Sequence, residues 1–351
     1  MAPSIIEPQA AVSSKSIRSL QSVTEHYDDV LRFYLNGNRV ILDSTNIDPE
    51  VTLLQYVRAI GLTGTKLGCA EGGCGACTVL VSQFNPTTND IYHASVNACI
   101  APLVSVDGKH VITIEGIGDV QMPHPAQERI AQSSGSQCGF CTPGIVMSLY
   151  ALLRNHESPS ALHIEEAFDG NLCRCTGYRP ILDAAQTFSV GGSCANSTVN
   201  GGSGCCKENG NTGDSVANGC GMNGLALNEH GGSKRFTPPG FIEYNPETEL
   251  IFPPALRKHA FRPLAFGNKR KKWYRPVNLK QLLEIKSAYP SAKIIGGSTE
   301  TQIEIKFKAM QYTGTLHPSL YCTFTHCPIC RLDSILHSFP QIIFCYIVMT
   351  P

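Results

Sequence analysis

Residues 68–77, which read GCAEGGCGAC, carry the clearest chemical signal in this chain. They place Cys69, Cys74 and Cys77 at C-x4-C-x2-C spacing, and Cys99 follows twenty-two positions after Cys77. This is the ligand pattern of a plant-type 2Fe-2S cluster, in which four thiolates hold two irons. The glycines allow the backbone to bend around a cluster and to direct N–H groups at sulfur. A structural zinc site is the alternative, although zinc ribbons usually pair two C-x2-C knuckles.

A second quartet of cysteines lies in the segments QCGFCTPG and GNLCRCTGYRP. Cys138 and Cys141 are spaced C-x2-C, and thirty-one residues separate them from Cys173 and Cys175 at C-x-C spacing. Threonine and proline residues typical of helix starts follow each pair. Because a helix N-terminus carries free N–H groups and a partial positive charge, it suits an anionic thiolate cluster. The pattern predicts a second 2Fe-2S cluster, with zinc held by the same four thiolates as the alternative.

The residues around the first quartet predict a small mixed sheet with one helix across it. Two apolar runs flank Asn36-Gly37, a dipeptide typical of tight type I′ hairpins. Asp48-Pro49 indicates a helix start, and apolar residues at helical spacing continue until Gly61. Strands are expected between residues 77 and 114. This is the β-grasp arrangement of plant-type ferredoxins, which we assign to residues 29–115.

From about residue 116 the apolar spacing becomes helical, and a small bundle is expected over residues 116–188. Its four helices are predicted at Ala126–Gln132, Gly144–Asn155, Ser160–Phe168 and Tyr178–Phe188. The second cysteine quartet would lie at the junctions between them.

Two segments lack the apolar content of a folded domain. Residues 1–28 are polar and aperiodic, which predicts a disordered arm. Residues 189–234 are rich in Gly, Asn and Ser, which predicts a flexible linker. Four linker cysteines show no ligand spacing and receive no role: Cys194, Cys205, Cys206 and Cys220.

After the linker, one turn could bind an anion. A helix is expected at Leu279–Ala288 and a strand at Lys293–Ile295, followed by residues 296–299 (GGST) and the segment Glu300–Phe307. A strand, two glycines and hydroxyl residues can cradle a phosphate on bare N–H groups. An ordinary turn is the alternative, since no G-x-G-x-x-G is present.

Composition limits the possible functions. The chain has 351 residues, enough for two or three domains, and 42% of them are hydrophobic. Basic and acidic residues both total 28, so the formal charge is 28 − 28 = 0, and neither nucleic acid nor a membrane is an expected partner. With no signal peptide and no long apolar run, the sixteen cysteines indicate metal ligands in a reducing compartment. We expect a soluble, cytoplasmic protein; a peroxisomal location is left open, although no signal for it is seen.

Residues 30–312 resemble the N-terminal part of xanthine dehydrogenases, a family of molybdenum-containing purine hydroxylases. The similarity lies in CAEGGCGACTV, HPAQERIAQSSGSQCGFCTPGIVMSLYALLRN, FDGNLCRCTGYRPIL and KIIGGSTETQIEIKF. The resemblance implies two 2Fe-2S clusters, with metal ligands Cys69, Cys74, Cys77 and Cys99 for one and Cys138, Cys141, Cys173 and Cys175 for the other. It implies a first FAD-contacting loop at Ile294, Ile295, Gly296, Gly297, Ser298, Thr299, Glu300 and Thr301.

The resemblance also implies the domain order and the fold class. The class is α+β: a β-grasp 2Fe-2S ferredoxin domain, a four-helix 2Fe-2S domain and a partial α+β FAD-binding domain at residues 235–312. Residues 313–351 are expected to be an unmatched tail, and no catalytic residue is assigned. The tail repeats C-x4-C-x2-C at Cys322, Cys327 and Cys330 without glycines, so a third cluster is not expected.

In complete members of the family, purine is hydroxylated at a molybdopterin-bound molybdenum with water as the oxygen source. Electrons then pass through the helical-domain cluster and the β-grasp cluster to FAD, which reduces NAD⁺. The resemblance implies that Gln137 and Cys175 approach the molybdopterin and that the complete proteins are homodimers. The molybdenum domain and most of the FAD domain are expected to be missing here. The chain is interpreted as the electron-transfer segment of such an enzyme; the alternatives are a separate iron–sulfur subunit that docks onto flavin and molybdenum chains, or an inactive truncated gene product.

Overall fold

The computed structural model describes residues 19–45, 47–189, 240–259, 261–268 and 270–316. Within these ranges the helices are α1 (Leu20–Thr24), α2 (Leu53–Ala59), α3 (Pro125–Gln132), α4 (Thr142–Asn155), α5 (Ala161–Ala167), α6 (Arg179–Gln186), α7 (Pro254–Arg257), α8 (Leu279–Ala288) and α9 (Thr299–Phe307). The strands are β1 (Val30–Leu35), β2 (Asn38–Asp43), β3 (Thr78–Asn85), β4 (Asp90–Asn97), β5 (His110–Ile112), β6 (Leu264–Gly267), β7 (Lys272–Arg275), β8 (Lys293–Ile294) and β9 (Gly314–Leu316). The linker and tail cysteines named above lie outside the described residues.

A five-stranded sheet, in the order β2-β1-β5-β3-β4, forms the first unit. The β1–β2 hairpin turns at Asn36 and Gly37, whose φ angles of 48° and 81° are the positive values that a type I′ turn needs. Strand β5 lies between β1 and β3, parallel to the former and antiparallel to the latter. Helix α2 buries Leu53, Leu54 and Val57 against this sheet's core. The expected β-grasp fold is confirmed.

Helix α2 begins later than the sequence suggested. Its N-cap is Thr52, whose side chain accepts a hydrogen bond from Gln55 N. In turn, Thr52 N donates a hydrogen bond to the Gln55 side chain. Asp48 instead accepts from Glu50 N at 2.9 Å in the preceding turn. The reciprocal capping box satisfies two backbone N–H groups at the start of the helix. The Asp48 side chain instead satisfies the N–H group of Glu50, which lies in the turn before the helix.

Helices α3 to α6 form the expected four-helix bundle around a separate apolar core. Helix α4 is buried on both of its sides. One face packs into the bundle core, whereas Met147, Tyr150 and Ala151 pack against Leu80 and Ile112 of the sheet. The shared helix therefore fixes the bundle against the β-grasp unit.

The third unit is a mixed four-stranded sheet, in the order β6-β7-β9-β8, with helices α8 and α9. Leu264, Phe266, Trp273 and Ile295 join the same core as the β-grasp residues. Strand β9 lies beyond residue 312 and pairs in parallel with both β7 and β8. The folded segment therefore extends to at least the end of β9.

The end of the N-terminal arm is more ordered than its composition suggested. Helix α1 lies within the segment that we expected to be disordered, and Leu20, Val23 and Tyr27 pack against the third unit. Leu20 and Val23 lie three residues apart on one face of α1, a signal too short to stand out from the polar residues around it. None of the described helices is long and apolar enough to span a membrane.

Candidate metal centres

The cysteine loop (residues 68–77) directs backbone N–H groups at sulfur. Cys69 Sγ accepts hydrogen bonds from Glu71 N at 3.4 Å and Gly73 N at 3.3 Å, and Cys74 Sγ accepts from Cys69 N at 3.4 Å. Burial raises the pKa of Cys69, but these hydrogen bonds outweigh it and lower the pKa. Because donors that point at sulfur favour its anionic form, the loop is suited to thiolate ligands.

Glycine is required at two positions of this loop. A Cβ on Gly68 would lie 2.6 Å from Cys74 Sγ, so any side chain there would displace the sulfur of this expected ligand. Gly75 has a φ of 67°, and a Cβ on it would lie 2.3 Å from Gly170 O. The loop can therefore wrap closely around its sulfurs only with glycine at these places.

The first centre (Cys69, Cys74, Cys77 and Cys99) is completed by Cys77, at the end of the loop, and by Cys99. Each is 2% exposed, and their thiols are hydrogen-bonded to each other. The bond from Cys77 lowers the pKa of Cys99 to about 7, whereas the same bond and burial raise the pKa of Cys77. Asn97 Nδ2 donates to Gly72 O at 2.9 Å and ties the loop to the end of β4.

The second centre (Cys138, Cys141, Cys173 and Cys175) joins two distant segments. Hydrogen bonds pair Cys138 with Cys175 and Cys141 with Cys173. Burial, followed by the bond to Cys173, raises the pKa of Cys141 to about 12. For Cys173 burial also raises the pKa, but hydrogen bonds from Thr176 and from Cys141 outweigh it and lower the pKa.

Helix starts hold the second centre as the sequence predicted. Cys141 is the N-cap residue of α4, and Tyr178 is the N-cap residue of α6 with a φ of 67°. The Tyr178 hydroxyl accepts from Cys173 N at 2.8 Å, so the residue that begins α6 also fixes the backbone of a ligand. Thr176 Oγ1 lies 3.1 Å from Cys173 Sγ and accepts from Tyr178 N at 3.1 Å.

The two centres meet along the backbone. Leu172 N donates to Cys74 O at 3.0 Å, and Asn171 Nδ2 donates to Gly75 O at 3.1 Å. A Cβ on Gly144, in the first turn of α4, would lie 2.1 Å from Gly75 O. The contact between Cys74 and Leu172, which precedes Cys173, therefore depends on a small residue at position 144 of α4.

Each thiol of the two quartets interacts with at least one other thiol of its own quartet. Over the described ranges, no three Cys, His, Asp or Glu side chains surround a point that could hold a single metal ion. A binuclear cluster takes two thiolates on each of its irons, so a quartet of neighbouring thiols suits it. The residues present therefore fit 2Fe-2S clusters.

The expected flavin loop links β8 to α9. Gly297 and Ser298 both have positive φ angles, 66° and 65°, and no side chain caps the N-terminus of α9. This leaves N–H groups of the first turn available to an anion. Of the expected contact residues, Ile295 and Thr301 are buried, whereas Ile294, Gly296 and Glu300 are exposed.

A cavity adjoins this loop. It has a volume of about 250 Å³, and its lining includes Gly297 and Thr299 together with Asn97 and Ile100 of the first unit. Ile100 also touches the cysteine loop, since a Cβ on Gly72 would lie 2.5 Å from its Cδ1. The cavity thus joins the flavin loop to the neighbourhood of the first centre, but it is too small to hold a whole dinucleotide.

Several side chains around the centres were not predicted as functional. Asn97, Asn171 and Thr176 support the ligand backbone or touch a ligand sulfur, and Lys306 reaches the first centre from α9. A hydroxyl three positions after Cys173 was a usable signal in the sequence. Lys306 had none, because it lies more than two hundred positions from the cysteines that it approaches. Gln137, expected near the molybdopterin, is exposed beside Cys138.

Three family models match this chain. Residues 36–104 match the 2Fe-2S iron-sulfur cluster binding domain, and residues 113–186 match the [2Fe-2S] binding domain. Residues 265–319 match the FAD binding domain in molybdopterin dehydrogenase. The chain therefore contains two 2Fe-2S domains and part of an FAD-binding domain, as expected.

Curated relatives extend this similarity over most of the chain. Xanthine dehydrogenase of Emericella nidulans is 65% identical over 315 residues, which is 90% of this chain and 23% of that protein. Xanthine dehydrogenase/oxidase of Rattus norvegicus is 46% identical over 313 residues, covering 88% and 22%. Aldehyde oxidase of Homo sapiens is 48% identical over 297 residues, covering 82% and 21%. The chain spans less than a quarter of the length of these relatives.

Solved structures give local matches. Aldehyde oxidoreductase from Desulfovibrio gigas is 36% identical with a TM-score of 0.40, covering 45% of this chain and 16% of that one. Quinoline 2-oxidoreductase from Pseudomonas putida 86 is 32% identical with a TM-score of 0.38, covering 45% of this chain and 91% of that one.

Proposed function

We propose, on the premise that this chain corresponds to the N-terminal part of a xanthine dehydrogenase, that it is the electron-transfer segment of a purine-hydroxylating oxidoreductase. The premise rests on its similarity to xanthine dehydrogenases over 90% of its length. The purine substrate, NAD, a homodimeric assembly and a cytoplasmic location are proposed for the complete protein. In that protein a molybdenum centre, which this segment does not include, would supply the electrons.

The observation that carries the proposal is that eight thiols meet as two quartets at adjoining places. We assign the four thiols of the first centre to one 2Fe-2S cluster and those of the second centre to another. When bound, such clusters accept and release single electrons. The protein's own contribution is to hold the thiolates, to donate N–H and O–H groups to sulfur, and to keep the two sites in contact through Leu172 and Asn171.

The cysteine spacing also supports an iron–sulfur cluster over zinc at the first centre. Zinc ribbons usually pair two C-x2-C knuckles, whereas the first centre combines a C-x4-C-x2-C loop with the distant Cys99. The glycine-rich loop adds backbone N–H donors for two of its sulfurs, which stabilise a cluster that carries negative charge.

The third unit is proposed as the start of an FAD-binding domain whose first loop is residues 294–301. It is packed into the core of the β-grasp unit through β6, β7 and Ile295. This attachment favours one continuous flavin-linked chain over a separate iron–sulfur subunit. Because one loop cannot enclose an isoalloxazine ring, we expect weak or no FAD binding by this segment alone.

The test is to purify the chain without oxygen and measure its metal content. We expect about four irons and about four acid-labile sulfides per chain, a visible absorption spectrum, and two distinct electron paramagnetic resonance signals after reduction. Stoichiometric zinc with a colourless product would contradict the proposal. Limited proteolysis checks the proposed boundaries at the same time: a stable fragment of about residues 30–188 would show that the third unit does not hold its fold, which is the expectation for an inactive gene product.

A further inference from the structure

Helix α9 connects the flavin loop to the first centre. It begins at Thr299, the last residue of the GGST turn, and carries Lys306 in its last turn. Lys306 Nζ donates to Ala70 O at 3.2 Å and to the carbonyl oxygen of Cys99. One acceptor lies in the cysteine loop, and the other belongs to Cys99, an expected ligand of the first centre. A single helix from the third unit thus touches the proposed flavin site at one end and the proposed cluster site at the other.

The cysteine loop has an unusual backbone conformation at Ala70, whose carbonyl oxygen accepts one of these hydrogen bonds. Ala70 has a φ of 64°, the left-handed region that a residue with a Cβ rarely adopts. Lysine can only donate hydrogen bonds, and its ammonium is here shared between two carbonyls rather than paired with a carboxylate. Its positive charge therefore remains available to act on the sulfurs nearby. The thiols of Cys99, Cys77 and Cys69 all lie within electrostatic reach of it.

We propose that the Lys306 ammonium raises the reduction potential of the cluster in the first centre. The inference rests on the proposed function, since it requires a cluster at that site. One-electron reduction adds a negative charge to the cluster, and a fixed positive charge close by stabilises the reduced form more than the oxidised form. The hydrogen bonds of Lys306 in the described part of the chain go to the cysteine loop and to Cys99. Lys306 acts through its field and touches no substrate.

Because Lys306 lies in the last turn of α9, the effect of its charge on the first cluster depends on the position of this helix. Thr299 and Lys306 are seven residues apart in α9, about 10 Å along a helix axis. The ammonium is in position only while α9 is docked on the first unit. The cluster would therefore accept an electron more readily when the flavin segment is in place, which directs electrons to a cluster that has an acceptor beside it.

The experiment compares Lys306→Met, Lys306→Arg and the control Lys308→Met in the full chain. Lys308 is exposed at the C-terminal end of the same helix. Dithionite supplies single electrons while electron paramagnetic resonance follows each cluster separately, and iron is counted in every variant. We expect Lys306→Met to shift the reduction equilibrium of the first cluster about three- to tenfold toward the oxidised form, up to 59 mV lower in a one-electron couple. Lys306→Arg should restore the wild-type potential, and Lys308→Met should leave it unchanged.

The failures of the two proposals can be told apart. A wild-type chain without iron would reject the cluster assignment itself. Full iron content in Lys306→Met with an unchanged potential would overturn the role of the charge, and so would an equal shift of both clusters. Loss of two irons in Lys306→Met would make Lys306 a structural clamp of the cysteine loop and would also overturn it. A shift confined to the first cluster and reversed by arginine supports it.

Discussion

The chain builds two four-thiol centres that touch each other, and it builds them differently. In the first centre, three ligands lie within nine residues, and the loop that carries them donates its own N–H groups to sulfur. In the second, two short segments thirty-one residues apart meet between helix starts. Cys77 and Cys99 are buried, whereas Cys138 and Cys175 are exposed.

The difference shows what each centre depends on. The first depends on local backbone geometry, because glycines and positive φ angles hold the loop around its sulfurs. The second depends on tertiary packing, since its two segments come together only when the bundle forms. Burial and hydrogen bonds to sulfur set the potential of an iron–sulfur cluster. Two clusters of the same type are therefore expected to have distinct potentials.

Removing one expected ligand from each centre should have the largest effect, because it should abolish one cluster and leave the other. We expect Cys74→Ser to abolish the first cluster and Cys173→Ser to abolish the second, each lowering the iron content from about four to about two per chain. The backbone link from Leu172 N to Cys74 O does not involve the side chain, so the other centre should remain intact in each case. Iron analysis and electron paramagnetic resonance measure this.

The linker variant Cys194→Ser is the matched control, because that cysteine has no ligand spacing. It should retain both signals at full intensity. Two distinct reduced clusters in Cys74→Ser would show that the ligand assignment is wrong, and loss of both would show that the centres assemble only together.

Local signals account for what could be read from the sequence. The β1–β2 turn, the β-grasp order and the four helices of the bundle follow from turn residues and apolar periodicity, and the structure has all of them. The quartets were found because ligand spacing is itself a local pattern. The structure brings each quartet together, including Cys99, which joins its loop from the far end of β4.

What could not be read depends on contacts between distant residues. The start of α2 is a separate case, because the capping box that sets it joins Thr52 and Gln55, only three positions apart, and Asp48 was preferred to it in the sequence. The buried Asp107 gave no sign that its partner would be Arg275, one hundred and sixty-eight positions away. Lys306 likewise became relevant only through the docking of α9. Periodicity predicts elements, but it does not say which charged side chain of one unit will meet another.

Asp107 joins the first unit to the third unit through its ion pair with Arg275. Removing this ion pair tests how far the surroundings of the first centre depend on the third unit. Its side chain is fully buried and accepts from Arg275 Nη2 at 2.6 Å and from Arg32 N at 2.7 Å. Burial raises its pKa, but His259, whose Nε2 lies 3.6 Å from Asp107 Oδ2, and the charge of Arg275 outweigh burial and lower the pKa to about 2. We expect Asp107→Asn to lower the free energy of unfolding by about 2 kcal/mol at neutral pH.

The pH dependence follows from the depressed pKa. The stabilisation is fully present above the ordinary value of 3.8 and is lost as the pH falls from there toward 2. The gap between wild type and Asp107→Asn should therefore close in acid. Trp273, the chain's single tryptophan, lies in β7 two residues before Arg275 and reports urea unfolding of this unit by fluorescence. The exposed Asp183→Asn is the control; a gap that stays constant with pH would contradict the ion-pair account.

The smallest expected effect concerns Thr176, whose hydroxyl lies against a sulfur of the second centre. Thr176 Oγ1 accepts from Tyr178 N, which leaves its own hydrogen free to be donated to Cys173 Sγ, 3.1 Å away. We expect Thr176→Val to lower the potential of the second cluster by about 40 mV, because loss of a hydrogen bond worth ~1 kcal/mol favours the oxidised form. The first cluster should not change.

Thr142→Val is the control for that variant, since the Thr142 hydroxyl bonds to Ser136 and not to a ligand. This pair of variants sharpens the contrast between the centres. Sulfurs of the first centre receive backbone N–H groups, which no substitution of a donor's side chain removes, whereas Cys173 receives a hydroxyl that one methyl group can replace. If Thr176→Val leaves the second potential within error of the wild type, the hydroxyl serves only to hold Tyr178 N, and the two centres would be tuned by their backbones and burial alone.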